Sequence, residues 1–143
     1  MMRQLSIFIE NEQGRLNELA SLLGDSGIDI YALTLADTKN YGILRCIVND
    51  PDRAVAVVNE NGYTANVTEV LGVCVKDEPG GLAHVVNILS EAKVDIEYLY
   101  SFVKNPTRDS ALIIFRVEDV CAAAKLLEDK GVKTFDEQGV DEL

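Results

Sequence analysis

The feature that most constrains this chain is that it repeats itself. Shifted by 66 positions, Ile7, Gly14, Leu16, Leu23, Asp29, Ile30 and Leu33 fall on Val73, Gly80, Leu82, Leu89, Asp95, Ile96 and Leu99. Shifted by 69, Ile43, Val48, Asp50, Ala54, Val58 and Gly62 fall on Leu112, Val117, Asp119, Ala123, Leu127 and Gly131. Apolar positions, glycines and acids recurring together at one spacing describe two copies of a small domain. The three extra residues fall in a turn around Lys104 to Asp109, where insertions cost little. The copies divide as residues 1–70 and 71–143. There is almost no linker, because Val67 to Val75 is a nearly continuous strand pattern broken only around Leu71-Gly72. So tight a join favours packing of the two copies on each other.

Within the first copy, Leu5, Ile7 and Ile9 alternate with Ser6, Phe8 and Glu10 and predict a strand. Leu16, Leu19, Ala20, Leu22 and Leu23 recur at helical spacing, and Gly24-Asp25-Ser26-Gly27 ends that helix. Ile28 to Ala36 and Ile43 to Val48 predict two strands about a turn. Asn49-Asp50-Pro51-Asp52 then starts a second helix with apolar face Ala54, Val57 and Val58, and Asn61-Gly62 closes it. Tyr63 to Val70 supplies a fourth strand. The order is β-α-β-β-α-β, twice. The acidic tail from Asp136 to Leu143 is expected to be only partly ordered.

Right-handed crossovers turn that order into a ferredoxin-like sandwich. The expected class is therefore α+β: two such domains in tandem, each an antiparallel four-stranded sheet with its helices on one face. The fold hosts many functions, so the side chains must discriminate. RNA-binding sandwiches carry stacking aromatics on the central strands. Here those strands offer Ile7-Phe8-Ile9 and Ile43-Leu44-Arg45-Cys46 in a chain of net charge −11. Such a charge repels phosphate backbones and anionic membranes, which argues against both as partners. No apolar run reaches the length of a membrane span, and no long apolar segment follows Arg3 to make a secretory signal. Cys46, Cys74 and Cys121 are odd in number, far apart and set in apolar patterns, so buried free thiols in a cytoplasmic protein are expected, with no metal site. The single histidine, His84, has no serine or cysteine beside it in sequence, and no catalytic residue or cofactor is expected.

The loops that join strand to helix carry the functional signal. Asp77-Glu78-Pro79-Gly80-Gly81-Leu82 reads as an abrupt strand stop and helix start, with Asp77 as a cap and Pro79 early in the helix. Gly80 and Gly81 leave the helix mouth bare, so a ligand can approach its free N–H donors. The same event occurs at Asn11-Glu12-Gln13-Gly14-Arg15-Leu16, without the proline and one glycine.

On these residues each half resembles an ACT domain, the small ligand-binding module of regulated enzymes in amino-acid metabolism. The second copy carries that family's D-x-P-G-x-L pattern at Asp77 to Leu82, followed by Val94-Asp95-Ile96. The first carries a looser version, then Gly27-Ile28-Asp29-Ile30. The chain is similar to stand-alone tandem ACT proteins and to small regulatory subunits of enzymes such as acetolactate synthase. The resemblance implies a free amino acid as ligand, a partner enzyme of amino-acid metabolism and a homodimer. Family members often have asparagine where Asp29 and Asp95 stand, a departure that strengthens ammonium binding.

The chemistry of an amino acid suits these positions. A helix mouth after Gly14 or Gly80 offers N–H donors and the positive dipole end to the carboxylate. Asp29 and Asp95 can accept hydrogen bonds from the ammonium. A helix of about thirteen residues is roughly 20 Å long, which puts the mouth and the next strand's start at opposite ends of one copy. The expected ligand set therefore pairs Asn11, Gln13, Gly14, Arg15 and Leu16 with Asp95, Ile96 and Glu97. The other pairs Asp77, Pro79, Gly80, Gly81 and Leu82 with Asp29, Ile30 and Tyr31, the copies being in one chain or two. The plainer roles stay open beside this: Asn11 and Asp77 as helix caps, Asp29 and Asp95 as turn formers, Arg15 solvated, His84 partly exposed, and Tyr31, Tyr98 and Tyr100 packing at a sheet edge. The alternative function is a docking subunit that binds no small molecule.

Overall fold

The computed structural model describes residues 1–37, 39–103 and 109–141. The three extra residues of the second copy's hairpin turn fall at positions 104–108, outside the described residues. Two compact units emerge, Arg3–Thr68 and Met1–Met2 with Glu69–Leu143.

The unit Arg3–Thr68 contains β1 (Met2–Glu10) from its second residue on, α1 (Arg15–Asp25), β2 (Ile30–Asp37), β3 (Tyr41–Val48), α2 (Pro51–Glu60) and the start of β4 (Thr64–Lys76). Its strands lie in the order β2-β3-β1-β4, with β1 and β2 both antiparallel to β3. Registers such as Ile7 opposite Leu44 and Leu33 opposite Cys46 align the apolar alternation. Leu5, Ile7 and Ile9 of β1 meet Leu19 and Leu23 of α1, Leu44, Cys46 and Val48 of β3, and Ala54 and Val58 of α2 in one buried core.

The second unit contains the end of β4, α3 (Gly81–Glu91), β5 (Tyr98–Ser101), β6 (Ser110–Arg116), α4 (Val120–Asp129), β7 (Thr134–Phe135) and α5 (Glu137–Asp141). Its order is β7-β4-β6-β5, with every pairing antiparallel. Its core repeats the first: Leu71, Val73 and Val75 stand for Leu5, Ile7 and Ile9, Val85 and Leu89 for Leu19 and Leu23, Ala123 and Leu127 for Ala54 and Val58. The two β-α-β-β-α-β units are α+β sandwiches as expected.

Two local readings need correction, the break in β4 and the burial of the cysteines. The strand expected to break at Leu71-Gly72 is one thirteen-residue β4. Gly72 is required there because a Cβ would strike the Phe135 ring at 2.8 Å. Within the acidic tail Glu137–Asp141 form α5, since the Asp136 carboxylate accepts the Gly139 N–H at 2.8 Å and its carbonyl accepts the Val140 N–H. Helix α1 ends within Gly24–Gly27 as expected, the last helical residue being Asp25 and the reversal sitting at Gly27, whose φ is +74°. Of the cysteines, Cys46 is buried, Cys74 partly so, and Cys121 exposed, one place off the buried Val120, Ala123, Leu127 stripe of α4.

Candidate functional site

The two strand-to-helix loops are built alike, by a turn the sequence reading misplaced. Asn11 and Asp77 do not cap α1 and α3. Their N–H groups donate to the carbonyls of Asn40 and Asp109, extending the ladder beyond the strand. In the second unit the chain then makes a turn from Glu78 to Gly81, closed by the Gly81 N–H on the Glu78 carbonyl at 3.0 Å. Pro79 holds the second position and Gly80 the third, with φ 85° and ψ −5°, the left-handed geometry of a type II turn. Pro79 thus lies ahead of the helix and not inside it. Gly14 repeats this with φ 88° and ψ −11°, in a turn closed by the Arg15 N–H on Glu12. Neither helix has a side-chain cap. By contrast Asp50 and Asp119 do cap α2 and α4, accepting from the N–H groups of Arg53 and Ala122.

An uncapped first turn leaves donors free. The N–H of Gly81 is used by the turn and that of His84 by the Gly80 carbonyl, whereas those of Leu82 and Ala83 have no partner among the described residues. The adjacent glycines differ in purpose. A Cβ at Gly80 would meet open space, so this residue does keep the mouth clear, while one at Gly81 would collide with the Lys76 carbonyl oxygen. Gly81 is bare for the chain's own packing.

Beside this mouth lies a hollow of about 570 Å³. Pro79, Gly80 and Gly81 line it together with Cys74, Lys76, Glu78, His84, Val85, Ser110 and the Gly131-Val132-Lys133 segment that follows α4. Asp77 and Leu82 are not in the lining. Its counterpart in the first unit, about 380 Å³, is lined by Phe8, Ile9, Glu10, Arg15, Tyr41 and residues 61–64. There Arg15 is the only member of the predicted loop set to contribute. The Arg15 guanidinium reaches Glu10 and Glu18 at 3.3 Å each and Glu12 at 4.0 Å. Its hydrogen bond to Glu10 first, and then that to Glu18, raise its pKa above the ordinary value. Burial pushes the Cys74 thiol up, while Lys133 beside it pulls the other way.

Asp29, Ile30 and Tyr31 do not line the hollow of their own unit, nor do Asp95, Ile96 and Glu97 line theirs. Helices of eleven residues, roughly 16 Å long, separate the two ends as anticipated. The Asp29 N–H donates to the Asn49 Oδ1 at 2.9 Å, and its carbonyl accepts from the Asn49 N–H. Glu97 pairs with Arg116 at 3.2 Å, and its N–H donates to the Arg116 carbonyl. Tyr98 stacks on Tyr100, centroids 6.4 Å apart, on the edge strand β5. Lys76, Ser110 and Lys133 escaped sequence reasoning because the fold, not the local pattern, brings the end of α4 to the start of α3. The lysine that replaces Glu10 across the repeat was the available signal. Among the described residues no cluster of histidine, cysteine and acidic side chains fits a metal ion, and no helix is long and apolar enough to cross a membrane.

Two ferredoxin-like units with uncapped, glycine-turned helix mouths define a tandem small-domain protein. The sequence matches the ACT domain pair family over residues 1–143, and the chain belongs to that family. It is 38% identical to protein BT0572 from Bacteroides thetaiotaomicron, whose crystal structure superposes with a TM-score of 0.86 over 94% of this chain and 91% of that one. The ligand-free regulatory subunit of aspartate kinase from Thermus thermophilus shares the fold at 14% identity, with a TM-score of 0.65 over 89% and 91% of the two chains. The regulatory subunit of aspartate kinase from Thermus flavus does so at 13%, with a TM-score of 0.59 over 90% and 93%. No curated protein matches.

Proposed function

We propose that this chain is a non-catalytic regulatory protein that binds a free amino acid and transmits its presence to a partner enzyme of amino-acid metabolism. The observation that carries the reading is the pair of N–H groups at Leu82 and Ala83, free among the described residues, on a helix mouth beside a hollow of about 570 Å³. Pockets of several hundred Å³ are of ligand-binding size, and an α-carboxylate is the anion such donors suit. A mouth so placed is half a site. Asp29 or Asp95, from a second copy of the chain in a homodimer, supplies the acceptor for the ammonium. Ligand spanning the two halves favours one arrangement of subunits, which the partner senses as a population shift. The aspartate kinase regulatory subunits with the same fold are in keeping with this role.

A thermal-shift panel of the twenty amino acids tests it. A ligand at a hundred times its Kd adds about 2.7 kcal/mol to the native state, a shift of several degrees. One or a few amino acids should raise the midpoint and the rest should not. A second reading is favoured by Leu33 and Leu35, exposed on β2 at the end of its unit's sheet. Such an edge suits docking to an enzyme without ligand control. A flat panel at millimolar concentrations selects it.

A further inference from the structure

The two hollows are equivalent by the repeat, yet differ in charge. Lys76 stands where the first unit has Glu10, His84 where it has Glu18, and Lys133 where it has Thr64. Gly81 stands where it has Arg15. In the first unit the one cation of the hollow is held by three carboxylates. In the second, neither Lys76 nor Lys133 forms an ion pair among the described residues, and Glu78 is the one carboxylate of the lining. Two ammonium groups against one carboxylate make this hollow cationic in a chain whose net charge is −11. A net charge of −11 repels anions on the whole, so a cationic lining is a local exception. The difference is concerted across three positions of one lining, so it follows the hollow and not the helix end, which both units share.

Building on the amino-acid-binding reading, we propose that the hollow at Gly80 is the ligand-competent member of the pair and takes a dicarboxylic amino acid. The side-chain carboxylate meets Lys76 and Lys133 in the hollow, the α-carboxylate lies past its Gly80-Gly81 rim on the Leu82 and Ala83 N–H groups, and the ammonium is left to Asp29 or Asp95 of a second copy. The hollow at Gly14 is neutralised by its own carboxylates and takes no anion.

Isothermal titration of the full chain with L-aspartate, L-glutamate, L-leucine, L-lysine, succinate and inorganic phosphate tests this. L-Aspartate or L-glutamate should bind with one equivalent per chain. Lys76→Glu and Lys133→Thr, which restore the residues of the first unit, should each weaken binding by roughly tenfold, the loss of one hydrogen bond to a charged group. Glu10→Ala should leave the affinity unchanged. Circular dichroism confirms that each variant is folded, with Lys76→Gln as the milder substitute for Lys76→Glu. Equal or tighter binding of leucine or lysine, or two equivalents per chain, would overturn this assignment and leave the amino-acid reading standing. Succinate or phosphate binding as well as aspartate would reduce the hollow to a site for an adventitious ion only. No amino acid binding at all would remove both proposals.

Discussion

The loop at Gly80-Gly81 makes a sharp stability prediction, because its two glycines are there for different reasons. Gly81 is buried and its φ is not left-handed, but a Cβ would collide with the Lys76 carbonyl oxygen, a backbone atom that cannot rotate aside. Overpacking costs about 1–3 kcal/mol, and a clash with backbone lies at the upper end. Alanine recovers up to ~1 kcal/mol of helix propensity, so Gly81→Ala should destabilise its unit by about 2 kcal/mol. Gly80 has open space around it and a φ of 85°, so Gly80→Ala meets only the left-handed penalty of about 1–2 kcal/mol. For a domain of this size 1 kcal/mol is worth ~4–8 °C, so Gly81→Ala should lower the melting of the second unit by roughly 8–16 °C. Urea and thermal unfolding followed by circular dichroism read both variants. Arg15 occupies the same repeat position with a full side chain, so the constraint belongs to this loop and not to the fold. A Gly81→Ala protein as stable as its parent would show that the Lys76 carbonyl does not approach α3, and the derivation of the loop would fail.

Asp50→Ala and Asp119→Ala should each cost about 1 kcal/mol in urea unfolding as lost caps, whereas Asn11→Ala and Asp77→Ala should lose no cap energy; equal losses at all four would contradict the turn geometry. Lys93 takes a left-handed φ of 59° where the first unit has Gly27, so Lys93→Gly should raise stability by about 1 kcal/mol; a loss would refute this. Burial pushes the Cys46 thiol up to about 12 from 9.0. The unfolded chain therefore loses this proton first, and that contribution to stability should be intact below pH 9 and decline between pH 9 and 12. Thiol labelling of the native protein should run Cys121, then Cys74, then Cys46, and early modification of Cys46 would contradict its burial.

The cores were legible because the repeat prints each buried position twice: Leu5 with Leu71, Leu19 with Val85, Ala54 with Ala123. The helix starts were less so. A proline and an aspartate before an apolar stripe suit a cap or a type II turn, and only the positive φ of Gly80, with Asp77 drawn into the Asp109 ladder, decides between them. The fold of α5 depended on Asp136 as a local cap, a signal present in the sequence but masked by the acidity around it. The hollow was hidden for a different reason. Lys76, Ser110 and Lys133 are separated by tens of residues, and tertiary packing alone gathers them.

The central claim is that an amino acid sits on the mouth of α3. Backbone NMR of the isotope-labelled chain tests it most directly, by titrating in the amino acid that gives the largest thermal shift. The amide signals of Leu82 and Ala83 should shift most, with smaller shifts at Gly80, Gly81 and His84, all saturating on one binding curve. Saturable shifts that spare the Gly80–His84 amides, or no shifts at millimolar ligand, would contradict it.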